Sequence, residues 1–206
     1  MKLFKWVVLT LILLSLVSCS HSPFRNVENP NVPFERPGYS VLTPGDGNWQ
    51  YFADDSNGRF RLNFFKKIPD PKFHSLSVGI IETPSSATFE NPQEFENWNR
   101  KTLEIAMSAN RLHLIDLKIA SDNRFGPYSV KYYTKSEDHR AVNRGNEDFL
   151  ILEDYGYIFI PPKNPKLIVQ ASYSERGRTQ EIRPNLEKIA ESFFDGIKLK
   201  DKSATQ

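Results

Sequence analysis

Phe149-Leu150-Ile151-Leu152, Tyr157-Ile158-Phe159-Ile160 and Leu167-Ile168-Val169-Gln170-Ala171-Ser172-Tyr173 are three apolar runs in the last third of the chain. Continuous runs of this length read as strands covered on both faces. Working outward, the upstream strands alternate instead. Trp49-Gln50-Tyr51-Phe52 is short and aromatic, and Asp54-Asp55-Ser56-Asn57-Gly58 reads as a turn. Phe60, Leu62 and Phe64 then alternate with Arg61 and Asn63, so these two strands pair as a hairpin. Leu76, Val78 and Ile80 keep the period of two. Leu112 to Ile119 places His113, Ile115, Leu117 and Ile119 on one face, with Asp116 and Lys118 opposite. Tyr128, Val130 and Tyr132 alternate with Lys131 and Tyr133.

Two helices interrupt this pattern. Asn91-Pro92 offers an N-cap with proline in the first turn, and Phe95, Trp98, Thr102, Ile105, Ala106 and Ala109 follow as a buried stripe. Arg183-Pro184 opens the last helix, with Leu186, Ile189, Ala190, Phe193 and Ile197 as its stripe. Strands, helix, strands, helix, with few βαβ alternations, imply an α+β fold: an antiparallel β-sheet covered by helices, in an α/β/α sandwich. One such domain is expected over residues 47–200.

The aromatic hairpin, the helix after the third strand, and Leu167 to Gly177 leading into Glu187-Lys188-Ile189-Ala190-Glu191-Ser192-Phe193 resemble the PsbP-like fold. That fold is known from extrinsic proteins of photosystem II and a Ran-binding nuclear import factor, and bacterial lipoproteins share it. The resemblance covers residues 47–200 and rests on element order. It implies a non-enzymatic scaffold or assembly factor that binds proteins, and it transfers no functional residue by position.

The chain begins with Lys2 and Lys5, an apolar run through Leu14, and then Leu16-Val17-Ser18-Cys19. A positive start, a short apolar stretch and small residues form a secretory signal peptide, here residues 1–18. The apolar stretch is shorter than the ~20 residues of a spanning helix. The tetrapeptide ending at Cys19 is similar to the lipobox of bacterial lipoproteins. That resemblance implies cleavage before Cys19, a diacylglycerol thioether on its sulfur, and membrane attachment through the lipid. Ser20 stands where an aspartate retains lipoproteins in the inner membrane of enteric bacteria, so the resemblance favours the outer membrane, facing the periplasm. Pro23, Pro30, Pro33, Pro37 and Pro44 mark residues 19–46 as a lipidated, proline-rich tether. Residues 201–206 read as a polar tail.

Composition limits the partners. Taking Lys2 and Lys5 from 27 basic side chains leaves 25, against 25 acidic ones. A balanced mature chain lacks the basic excess that grips phosphates, so no nucleic-acid partner is expected. Cys19 is the only cysteine, so no intramolecular disulfide can form.

No enzyme is expected. A Gly-x-Ser-x-Gly elbow is absent, and the one thiol is assigned to the anchor. His21, His74, His113 and His139 show no helical pairing of the metalloprotease type, so no metal or cofactor is expected. His113, beside Ile115 and Leu117, reads as a core or edge histidine in preference to a ligand, and His139 as an exposed loop residue. Asp54-Asp55 and Glu153-Asp154 are adjacent acids; in a strand such neighbours point to opposite faces.

Two functions remain. The first is an envelope-anchored protein-binding module using an exposed aromatic patch, with Tyr128, Tyr132, Tyr133, Tyr155 and Tyr157 as contributors, although half of them would pack beneath helices. Arg176 and Arg178, flanking Gly177 ahead of a helix, are further candidates for an acidic partner surface; the competing reading is a solvated turn neutralised by Glu175. The second is a carrier of a small apolar ligand, which the bulky Phe and Ile rows disfavour.

Overall fold

The three apolar runs lie at the heart of one large antiparallel sheet. The computed structural model describes residues 24–45, 48–56, 58–67, 74–108, 111–139 and 149–200. Along the chain run β1 (Arg25–Asn26), β2 (Phe34–Arg36), β3 (Tyr39–Val41), β4 (Gln50–Ser56), β5 (Arg59–Lys67) and β6 (Ser75–Pro84), then helix α1 (Pro92–Met107). β7 (Leu112–Ser121), β8 (Ser129–Asp138), β9 (Leu150–Phe159) and β10 (Leu167–Gly177) follow, then α2 (Leu186–Phe194) and β11 (Ile197–Leu199). The large sheet has the order β1-β4-β5-β6-β10-β9-β8-β7, and a small sheet has the order β11-β3-β2. Every pairing is antiparallel.

The expected double coverage is present for the second and third runs, while the first shares β9 with the second and begins at Phe149, which precedes the strand and is 36 % exposed. Phe159, Val169, Ala171 and Tyr173 join a core under α2 and the small sheet, whereas Ile158 and Ile168 join a second core under α1. Since neighbours in a strand face opposite ways, the two helices cover opposite faces of the sheet. Phe125 stacks on Phe159 with ring centres 4.5 Å apart, and Phe194 meets Tyr157 edge-on at 5.0 Å, so aromatic rings fill the α2 side.

The hairpin turn is tighter than the sequence suggested. Asp54, Asp55 and Ser56 stay in β4, opposite Arg61, Phe60 and Arg59. Two residues then suffice for the turn, with Gly58 at φ +69°, a conformation that costs glycine nothing.

Much of the expected tether belongs to the domain. From Phe24 to Pro44 the chain supplies β1, β2 and β3, and Tyr39 and Val41 have no exposed surface. Pro37 and Gly38 form the turn between β2 and β3, with Gly38 at φ +99°. Arg36 clamps Glu82 of β6 with two hydrogen bonds (Nε to Oε1 2.9 Å, Nη2 to Oε2 2.8 Å), and the Tyr39 hydroxyl donates to the same carboxylate at 2.6 Å. Here the prolines punctuate turns between short strands, which composition alone reads as a spacer. The expected signal peptide, Cys19 and the expected tail 201–206 lie outside the described residues. Among the described residues no helix is long and apolar enough to cross a membrane.

The helix stripes hold in part. Asn91 caps α1 as expected, its Oδ1 accepting from Glu94 N at 3.0 Å. The buried face, however, is Phe95, Asn99 and Leu103, at steps of four; Trp98, Thr102, Ile105 and Ala106 are exposed, and Ala109 is outside the described residues. Asn99 is tolerated inside because its side-chain amide donates to Phe95 O at 2.8 Å. In α2, Leu186, Ala190 and Phe193 are buried and Ile189 half-buried, but Ile197 reaches the core from β11, opposite Val41.

Candidate functional site

The tyrosines separate by strand parity. Tyr132 is 1 % exposed and faces α1, so it is a core residue and no part of an exposed patch. Its ring lies over Gly156, where a Cβ would come within 2.4 Å of it. Its hydroxyl donates to Asp154 Oδ2 at 2.9 Å and accepts from Gln170 Nε2 at 2.9 Å, while Ser174 Oγ donates to Asp154 Oδ1 at 2.6 Å. Burial pushes the Asp154 carboxyl up to about 6, against the two hydroxyls that donate to it. Burial likewise raises Tyr132 well above its usual range, with the Asp154 charge adding to it. Tyr157 is also buried, and Tyr128 is half-buried with its hydroxyl on Phe89 O at 3.1 Å.

Tyr133 and Tyr155 point the other way and stay half-exposed. They sit opposite each other in the β8–β9 ladder, with ring centres 4.7 Å apart and planes tilted by 43°. An open groove of about 320 Å³ runs beside them, bounded by Lys118, Lys131 and Glu187. Lys118 Nζ lies 5.3 Å from the Tyr133 ring centre and 3.3 Å from Asp116. Lys131 Nζ bridges Glu187 (3.0 Å) and Glu191 (2.7 Å) of α2; burial lowers its affinity for a proton, and the two carboxylates more than reverse that. The groove thus has an aromatic floor and a charge-balanced rim, the composition of a protein interface core with its polar border.

Arg176 and Arg178 do not form a joint anion site. Glu175, Arg176 and Gly177 are strand residues of β10, and Glu175 is fully buried, paired with His74 and with Arg183 Nε at 3.0 Å. Arg176 Nε contacts Asp138 Oδ2 at 2.7 Å, and Arg178 lies 3.8 Å from Glu181. Each cation already faces a carboxylate; Glu181 is three residues on from Arg178, whereas Asp138 comes from another strand, which the sequence order could not show.

His113 is also placed differently from its expectation. The β7–β8 register shifts between Leu114 and Asp116, so Ile115 is an extra, bulged residue, 52 % exposed. The shift puts His113 opposite Glu137 and Leu117 opposite Thr134, on different faces of the sheet. His113 comes to lie against His139, with ring centres 4.2 Å apart. No spacing rule pointed to this trio, because the bulge and the cross-strand register create it. No family model matches the chain, and no curated protein matches its sequence.

Proposed function

We propose that this chain is a lipoprotein anchored to the cell envelope through Cys19, in the outer membrane facing the periplasm, and that its PsbP-like domain is a non-enzymatic protein-binding module. The observation that carries the binding reading is the Tyr133–Tyr155 pair flooring an open groove with a balanced rim. Tyrosine offers a large contact area with few rotatable bonds and a polar tip, which suits reversible association. The partner would insert an apolar or aromatic side chain between Lys118 and Lys131. Binding of a small apolar molecule between sheet and α2 is less favoured, since the rings of Phe125, Tyr157, Phe159 and Phe194 occupy that space.

A photo-reactive side chain at Lys118 should capture one envelope protein in cells. Tyr133→Ser combined with Tyr155→Ser should abolish that capture with an unchanged far-ultraviolet circular dichroism spectrum; undiminished capture would remove the groove from the interface. The anchor has a separate test. Cys19→Ala should eliminate metabolic labelling by a fatty acid, and labelling that persists would overturn the lipoprotein reading.

A further inference from the structure

We infer that His113, Glu137 and His139 form a binding site for a borderline divalent transition-metal ion of the zinc type. Nδ1 of His113 lies 3.8 Å from Oε2 of Glu137, and Nε2 of His139 lies 2.9 Å from the same oxygen. All three ligand atoms fall within 4.8 Å of one another. A tetrahedral zinc ion with bonds of ~2.0–2.1 Å holds its ligand atoms about 3.4 Å apart. The observed separations bracket that value, so small side-chain rotations bring all three onto one ion.

The scaffold beneath them is fixed. His113 and Glu137 are ladder partners in β7 and β8, and the His139 backbone N–H donates to Arg111 O at 2.9 Å, extending the ladder by one rung. The His139 ring packs against Phe149 with centres 5.6 Å apart, which restricts its rotation. The bulge at Ile115 is what turns His113 to the Glu137 side; in a regular strand it would share the face of Leu117, beneath α1. Two imidazoles and one carboxylate select zinc, copper or nickel over calcium and magnesium, which take oxygen ligands. The His113 side chain is 62 % exposed, so the remaining coordination positions open to water or to a ligand atom from outside. This site lies on the same sheet as the tyrosine groove but shares no residue with it, so the two readings stand or fall separately.

The test uses the full-length chain purified in detergent, stripped with a chelator and titrated with zinc chloride by calorimetry. One ion per chain should bind, and the thermal midpoint should rise on zinc addition, as for any ligand that binds only the folded state. His139→Ala and Glu137→Gln should each weaken binding at least tenfold and remove the thermal shift. All three side chains are at least partly exposed, so these variants should fold like the wild type, which circular dichroism checks. Magnesium chloride should produce neither heat nor a shift. No zinc binding by the wild type, or zinc binding of undiminished affinity in His139→Ala, would overturn the assignment.

Discussion

Arg176 and Arg178 stand two positions apart and differ sharply in what their charges do. Arg176 neutralises Asp138, which is 1 % exposed and has Arg111 as a more distant second cation at 3.8 Å. Removing a cation from a buried carboxylate leaves its desolvation cost uncompensated. Arg176→Ser should therefore lower stability by about 2–3 kcal/mol, with Arg111 limiting the loss. Arg178 is 36 % exposed and pairs loosely with Glu181, so Arg178→Ser should cost less than about 1 kcal/mol. Urea unfolding of the two variants decides the matter; equal losses would contradict this account. Asp154 adds a pH dependence. Its carboxyl titrates at about 6 in the fold, whereas an unfolded aspartate titrates near ~3.9. The folded state holds this proton more tightly, so the contribution is fully present below about pH 4 and is lost as pH rises through 6, on the order of 2–3 kcal/mol. Asp154→Asn removes that loss. Its stability relative to wild type should climb between pH 4 and 7, and a flat difference in urea midpoints would rule the effect out.

At the scale of elements, α1 shows how packing overrides a helical pattern. Trp98, Ile105 and Ala106 share an apolar stripe in the sequence, yet the helix lies on the edge strand β7 and its neighbour β8 through Phe95, Asn99 and Leu103. Phe89, in the preceding segment, helps to set this roll by stacking edge-on against Phe95 at 5.0 Å and Trp98 at 5.7 Å. Leu103→Ala should cost about 2–4 kcal/mol by opening a cavity under the helix. Ile105→Lys, at a side chain 72 % exposed, should change stability by less than about 0.5 kcal/mol. Thermal denaturation of both variants distinguishes this face from the alternative, in which the Ile105 variant would be the damaged one.

For the whole molecule, the decisive feature is the N-terminal segment folded back onto the sheet. Tyr39 and Val41 complete the core under α2, Arg36 and Tyr39 satisfy the Glu82 carboxylate, and β3 pairs on both sides, with β2 and β11. A chain shortened to begin at residue 47 would strip Glu82 of both partners, uncover the core that Tyr39 and Val41 complete, and deprive β11 of its strand neighbour. It should show no cooperative thermal transition in near-ultraviolet circular dichroism, whereas a chain beginning at residue 24 should retain one. An unchanged transition after removal of residues 1–46 would show that this segment is dispensable to the fold.

The α+β class, the β4–β5 hairpin, the Asn91 cap and most of the α2 stripe could be read from residue order, because each depends on neighbours a few positions apart. Alternation, capping and 3.6-residue periodicity are local properties, and here they agree with the global fold. The site residues were not legible in the same way. Tyr132 and Tyr133 are adjacent in sequence, but only the sheet shows that one is buried against Gly156 and Asp154 while the other joins Tyr155 at a groove. Arg176 meets Asp138, and His113 meets Glu137 and His139, through cross-strand register and one bulged residue at Ile115. A single extra residue reverses which face every following side chain occupies. That reversal leaves the composition and the short-range pattern unchanged, so only the tertiary pairing decides it.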